Sequence, residues 1–318
     1  MKLSKAVTAV RDKIHDSDRK TWSDAEITRW IDHHSRNLFR HKVNADDSYG
    51  GVTFAIRASD DNRVRKVRPD TYAYYLPSWA YRIYAVRIAD TSTRGVLVDF
   101  RANGSTLAKG WRFLNDRAIE VTGWGAAQDL ELIVAKLPPP LHAGICPQGS
   151  NDASEILLDP QPVDVDGNAF DFEHEDGAYI GSEFQFTTLG STSRELRDQV
   201  VFATAQEHFY SNTRVDRIQR MTVMPEIGGK PVSGDVYEMH VPVDEMHYEF
   251  LSALVAQSLF QKTRNVDGIA ALQTVLRSGK NTFIDSLRPR QQQQPMMLGG
   301  SDGAGSYHPD RDDGWGEW

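Results

Sequence analysis

The chain has 318 residues, of which 40% are hydrophobic and 25% are charged, a balance typical of a folded globular protein. Its single cysteine, Cys146, excludes an intramolecular disulfide and a four-cysteine zinc site, and this favours a reducing compartment inside a cell. No stretch approaches the roughly 18 consecutive apolar residues of a membrane span, so we expect no membrane partner. The net charge of −8 argues against general affinity for nucleic acid.

The first 45 residues predict two helices. Apolar residues recur every three or four positions over residues 3–15. At the start of residues 23–42, Ser23 and Glu26 have the spacing of a capping box, in which the two side chains satisfy free N–H groups at the beginning of a helix. The apolar stripe that follows needs a partner to cover it; it comprises Ile27, Trp30, Ile31, Leu38 and Phe39.

Residues 50–140 predict an antiparallel β insertion, either a sheet or a small sandwich. Short runs rich in Val, Ile, Tyr and Phe alternate with turn residues such as Asn103-Gly104. The segment "LPPPLH" ends this region, because three consecutive prolines cannot enter a ladder of backbone hydrogen bonds.

Residues 150–242 predict a second β-rich insertion, which carries an acidic segment. Residues 151–186 hold ten acids and no Lys or Arg. Within this insertion, residues 194–210 are compatible with either a helix or a strand, because their periodicity does not separate the two. Charge is thus segregated along the chain, a pattern that suits large partners on different faces better than one small substrate.

Helical periodicity returns at Asp244 and continues, after a short break, until Pro289. The element order predicts an α+β fold. We expect an antiparallel helical bundle from the N- and C-terminal helices (residues 1–45 and 243–288), into which the β-rich segments are inserted. Residues 289–318 are too poor in apolar residues to fold alone and predict an extended C-terminal tail.

Common catalytic motifs are absent from the sequence. It contains no phosphate-binding loop, no dinucleotide-binding glycine motif, no H-E-x-x-H and no G-x-S-x-G. We therefore predict no enzyme, no catalytic residue, no cofactor and no metal site.

The acidic segment has the closest approach to a ligand pattern. Asp164, Asp166, Asn168 and Asp171 surround Gly167 like the front of a calcium loop. A solvated acidic turn is the favoured interpretation. A metal-assisted hydrolase that uses the cluster from Asp164 to Asp176 remains an alternative.

A basic run follows the first β segment. Arg63, Arg65, Lys66 and Arg68 are candidates for contact with phosphates or with an acidic partner. A charged edge strand is the ordinary explanation, because charge prevents edge-to-edge pairing of sheets.

The C-terminal tail ends in aromatic residues set among Gly and Asp. Aromatic side chains spaced along a flexible acidic segment are typical of ligands that anchor in pockets of a partner. The candidate anchors are Tyr307, Trp315 and Trp318, with Met296 and Met297 upstream.

Three segments resemble the head-to-tail adaptor, or connector, proteins of podovirus-type tailed phages. "TWSDAEITRWIDHHSRNLF" resembles their opening helix, "WRFLNDRAIEVTGWGAAQDLELIVAKLPPPL" is similar to their middle, and the helical stretch from "VPVDEMHYEF" to "NTFIDSL" resembles their closing helices. The resemblance covers under half of the chain, over about residues 15–42, 110–140 and 240–290.

The resemblance implies a structural protein of the virion neck, assembled in the host cytoplasm. Such proteins form a ring, usually of twelve subunits, that joins the portal to a tail tube or nozzle and surrounds double-stranded DNA without specific binding. Carried over, the tail aromatics dock into portal clefts. The acidic segment exceeds that of smaller family members, and we expect it to face the channel or the tail; its candidate channel-lining residues are Asp164, Asp166, Asp171, Glu173, Glu175 and Asp176.

A β-sandwich tail component that binds glycans or another ligand is the main alternative. Exposed aromatic side chains stack on sugars, and the β-rich middle of the chain contains Trp79, Trp111 and Trp124. This hypothesis requires that these indoles be exposed.

Overall fold

The fold is described from a computed structural model. The structure describes residues 1–16, 18–46, 49–77, 79–89, 96–100, 109–115, 117–146, 149, 152–158, 177–188, 199–210 and 217–287. Among the helices of these residues, none is long and apolar enough to cross a membrane.

Four helices lie at the two ends of the described chain. They are α1 (Leu3–Ile14), α2 (Asp24–Ala45), α3 (Tyr248–Thr263) and α4 (Val266–Leu287), with a short 3-10 turn at Glu245–His247 before α3. The capping prediction at Ser23 is confirmed, since its hydroxyl accepts a hydrogen bond from the backbone N–H of Glu26 at 3.1 Å. α3 packs against α1, α2 and α4.

Eight antiparallel strands form two four-stranded sheets between α2 and residue 137. One sheet has the order β1-β8-β4-β5 and the other β2-β3-β7-β6. Both contribute buried side chains, such as Leu132 from one and Ile119 from the other, to a shared core. We call this unit the sandwich; its strands are β1 (Gly51–Ile56), β2 (Val64–Arg68), β3 (Thr71–Tyr75), β4 (Ala80–Ile88), β5 (Val96–Leu97), β6 (Gly110–Asn115), β7 (Ala118–Thr122) and β8 (Leu130–Lys136).

A six-stranded antiparallel sheet follows, with the order β10-β13-β12-β11-β14-β9. Its long central strand β12 (Val200–Tyr210) resolves the ambiguity over residues 194–210 in favour of a strand. The other strands are β9 (Ala143–Ile145), β10 (Glu155–Leu158), β11 (Glu183–Thr188), β13 (Arg217–Met224) and β14 (Val236–Met239).

The predicted helical bundle with β insertions is wrong as a description of the fold. The described residues contain fourteen strands in three sheets beside four helices, so the protein is mostly β, although it is still a mixture of helices and strands. The error has a physical cause. The apolar stripes of α1 and α2 predict a packing partner but do not specify a helix, and in the structure these helices also bond to the β layers.

Hydrogen bonds show how the helices join the sheets. The backbone N–H of Ser4 on α1 donates to Glu238 Oε2 on β14 at 2.6 Å. On α2, Asp32 Oδ1 accepts from the backbone N–H of Leu141, in the segment between β8 and β9, at 2.9 Å. Glu238 and Asp32 are both buried, so these charge-assisted bonds compensate for lost hydration. The helices and sheets therefore share one interior.

The contact between α3 and α4 depends on two glycines of α4. A Cβ atom on Gly268 would lie 2.7 Å from the ring of Phe260, and one on Gly279 would lie 2.7 Å from Phe250 Cβ. Such distances are shorter than van der Waals contact. The missing side chains therefore let α4 approach the aromatic rings of α3 closely.

We predict that Gly268→Ala and Gly279→Ala each lower the free energy of unfolding by about 1–3 kcal/mol, the usual effect of overpacking. This runs against helix propensity, which favours Ala over Gly by about 1 kcal/mol. Chemical denaturation measures the change. Ser278→Ala, at an exposed neighbouring position, is the matched control and should be close to neutral. Stabilisation by Gly279→Ala would contradict the close contact.

His34 of α2 lies in the interface with α3. Its Nε2 is 2.8 Å from Ser258 Oγ, and its ring stacks on Trp30 with centroids 5.9 Å apart. Burial, the larger cause, and the charge of the neighbouring His33 together lower the pKa of His34 from 6.5 to about 3. Between these pH values the unfolded state binds more protons than the folded state. The stability contributed by the neutral imidazole is therefore fully present above about pH 6.5 and falls as the pH drops toward 3.

We predict that the wild-type chain loses about 2 kcal/mol of stability through this site between pH 7.5 and pH 5. His34→Gln does not titrate and should show a correspondingly weaker acid destabilisation. Urea denaturation at both pH values measures the difference. His15→Asn, which removes an exposed histidine instead, is the matched control. Equal acid losses in wild type and His34→Gln would refute the assignment.

Candidate interaction surfaces

Most predicted site residues lie outside the described residues. These are the tail anchors Met296, Met297, Tyr307, Trp315 and Trp318, and the acidic residues Asp164, Asp166, Asp171, Glu173, Glu175 and Asp176. Their proposed roles stay predictions. The basic run is described: Arg65, Lys66 and Arg68 lie on strand β2, and Arg63 directly precedes it.

β2 lies at one edge of its sheet, as the basic run predicted for an edge strand. Arg65, Lys66 and Arg68 are exposed there. Arg63 is not equivalent to them, because its guanidinium lies 5.5 Å from the centroid of the Phe54 ring and its Nε is 3.7 Å from Asp60 Oδ2. The guanidinium of Arg65 also lies over a ring, 5.7 Å from the centroid of Tyr75, but its side chain is exposed.

The opposite edge of the same sheet is apolar. Phe100 and Phe113 are 54% and 52% exposed, and both rings pack on the buried Trp111 with centroids 4.9 and 5.3 Å from it. We call this surface the sandwich patch; it comprises Phe100 and Phe113, whose ring centroids are 6.3 Å apart. Contiguous exposed apolar surface is uncommon on monomers and marks interaction sites.

A second exposed apolar surface lies on the six-stranded sheet. Phe202 of β12 and Met224 of β13 are directly paired across the two strands and are 45% and 62% exposed. Glu183 of β11 pairs with Phe202 on its other side, so all three side chains point to one face of the sheet. We call Phe202 and Met224 the sheet patch.

Sequence reasoning missed both patches. Trp111 and Phe113 alternate on one strand face, but the pattern does not show that one is buried and the other, near the end of an edge strand, is exposed. Phe202 and Met224 are 22 positions apart, and only the strand register brings them together. The signal that exists in the sequence, alternating apolar residues, is the same for core and patch.

The indoles of the β-rich middle do not form an exposed sugar platform. Trp79 and Trp111 are each only 6% exposed, and Trp124 is partly buried. The Lys136 ammonium lies 5.3 Å from the Trp79 ring, and Lys109 lies 5.6 Å from that of Trp124. Burial of two of the three rings argues against the glycan-binding alternative.

A cavity of about 500 Å³ lies where the end of α2, the end of β8 and the six-stranded sheet meet. Lys136 Nζ donates to the backbone carbonyls of Gly177 and Ile180, both at 2.6 Å, and burial lowers its pKa to about 8. His240 Nδ1 is 2.8 Å from Glu183 Oε2. These polar groups are bonded within the chain, so the cavity is a packing junction between α2, the sandwich and the six-stranded sheet.

Within the described part of the chain, no group of three or more His, Cys, Asp or Glu side chains is placed to hold a metal ion. The one cysteine, Cys146, is buried in the core, in agreement with a packing role. Three surfaces stand out among the described residues: the basic edge of β2, the sandwich patch and the sheet patch.

Comparison with known proteins identifies no family: no protein-family model matches the chain, and a search of curated proteins finds no significant match.

Proposed function

We propose that the chain is a structural head-to-tail adaptor of a tailed phage. In this role, copies of the chain form a ring, of twelve subunits by the family resemblance, that joins the portal to a tail tube or nozzle around the DNA channel. The C-terminal tail docks into portal clefts.

The observation that carries the proposal is the position of α4. Only two of its 22 residues, Leu272 and Phe283, are buried, although the helix contains further apolar residues. α4 therefore covers α3 with one narrow side and exposes most of its remaining surface. It leads directly into residues 289–318, which carry Trp315 and Trp318. A peripheral last helix followed by an aromatic-ended segment supports binding of a partner at this end of the chain.

Charge supports the same proposal. Residues 291–318 and the segment at residues 151–186 are both acidic, with net charges of −4 and −10 from Lys, Arg, Asp and Glu. An electronegative channel wall repels DNA and lets it slide, and an acidic tail favours a basic or polar cleft on the portal. The exposed patches on two different sheets supply surfaces for contacts between subunits.

We predict that removal of residues 291–318 abolishes binding to purified portal rings of the same phage. Trp315→Ala with Trp318→Ala should raise the dissociation constant at least about tenfold, because large aromatic anchors carry much of the energy of such interfaces. Surface plasmon resonance on immobilised portal measures both.

The matched control replaces the four glutamines at 291–294 by alanine, which changes the tail without removing an aromatic ring or a charge. This control should bind like wild type. Undiminished portal binding by the truncated chain would overturn the role of the tail.

A further inference from the structure

The sandwich patch lies in a part of the chain with net positive charge, residues 49–137, which we call the basic module. The sheet patch lies in a part with net negative charge, residues 143–243, which we call the acidic module. Residues 49–137 carry 13 Lys and Arg against nine Asp and Glu, a net of +4, whereas residues 143–243 carry six against 17, a net of −11. Charge asymmetry of this size within one chain favours association of the basic module of one molecule with the acidic module of another.

Charged side chains also lie beside the patches themselves. Arg117 is exposed in the turn between β6 and β7, four residues after Phe113 of the sandwich patch, and Asp99 is exposed next to Phe100. Beside the sheet patch, Glu183 shares the row of Phe202 and Met224, and Glu226 is exposed two residues after Met224. Each surface thus has an apolar centre with charge at its margin, and Arg117 on one surface is opposite in sign to Glu183 and Glu226 on the other.

The arrangement matches the composition of a specific protein interface. Such interfaces have an apolar core enriched in aromatic residues and Met, surrounded by a polar rim. Phe100 and Phe113 supply the aromatic groups on one side, and Phe202 and Met224 supply the groups on the other. Opposite charges at the rim select the partner and its orientation.

We propose that the sandwich patch of one copy docks on the sheet patch of a second copy of this chain. Because the two surfaces are different, the contact is heterologous, and each copy keeps one surface free for the next. Repetition of such a contact closes into a ring when its rotation allows, and otherwise extends as a filament. The inference rests on the proposed function in that it names the surfaces by which adaptor subunits meet.

The test uses two variants of the full chain, each with one surface disabled. The sandwich variant carries Phe113→Ser and Arg117→Glu, and the sheet variant carries Phe202→Ser and Glu226→Lys. Sedimentation velocity over a range of concentrations, with and without portal rings, measures assembly. Wild type should form species larger than dimers. Each variant alone should stay monomeric, with a self-dissociation constant raised at least about tenfold.

The decisive sample is the equimolar mixture of the two variants. Each retains the surface that the other lacks, so the mixture should form dimers and nothing larger. If either variant alone assembles like wild type, or if the mixture stays monomeric while wild type assembles, the proposed pairing of surfaces is overturned. A wild-type chain that stays monomeric even with portal rings overturns it as well.

Two controls separate surface effects from folding. All substituted residues are exposed, so each variant should keep the circular dichroism spectrum and melting temperature of wild type. Met246→Gln removes an exposed apolar side chain elsewhere and should leave assembly unchanged.

The outcomes also distinguish this inference from the proposed function. If the mixture of variants forms dimers but wild type does not bind the portal, the contact between the two patches stands and the adaptor role is overturned. If either variant alone forms rings on the portal, the adaptor role stands and the proposed pairing of the two patches is overturned.

Discussion

The arrangement of the chain ends depends on the burial of α3, a helix that is apolar on nearly all sides. Nine of its 16 residues are buried, and they include Ser252 as well as Phe250, Leu254 and Leu259. Such a helix cannot lie at a surface and needs cover around its circumference. α1, α2 and α4 supply this cover, and the two glycines of α4 bring it close to the aromatic rings of α3. The first and last elements of the described chain therefore meet in one place.

The helices do not stand apart from the sheets. The bond from Ser4 to Glu238 joins α1 to β14, and an ion pair between Lys42 and Asp244 joins the end of α2 to the segment before α3. These bonds connect parts of the chain more than 200 positions apart. As a result, the sandwich and the six-stranded sheet are both attached to a common helical layer. This arrangement suits a subunit that must present several surfaces to several partners in fixed positions.

Local features were predictable from the sequence, and features that depend on distant contacts were not. The Ser23 cap, the helical periodicity and the basic edge strand follow from short-range patterns, and the structure contains them. The bundle was wrong because an apolar stripe shows that a helix needs a partner but does not show whether that partner is a helix or a sheet. The prediction for strand β12 was ambiguous for the same reason. The residue pattern over 200–210 does not identify a strand by itself, and the strand is defined by its pairing with β13. Of the candidate site, the basic residues were predictable, whereas the exposure of Phe113 and Phe202 depends on strand order and register.

The central claim is that this chain assembles as a ring on the portal of a tailed phage. The most direct measurement is native mass spectrometry of the full chain, alone and with purified portal rings of the same phage. The account predicts a complex whose mass equals the portal ring plus one copy of the 35.8 kDa chain per portal subunit. A chain that remains free of the portal ring at every ratio of the two proteins would contradict it.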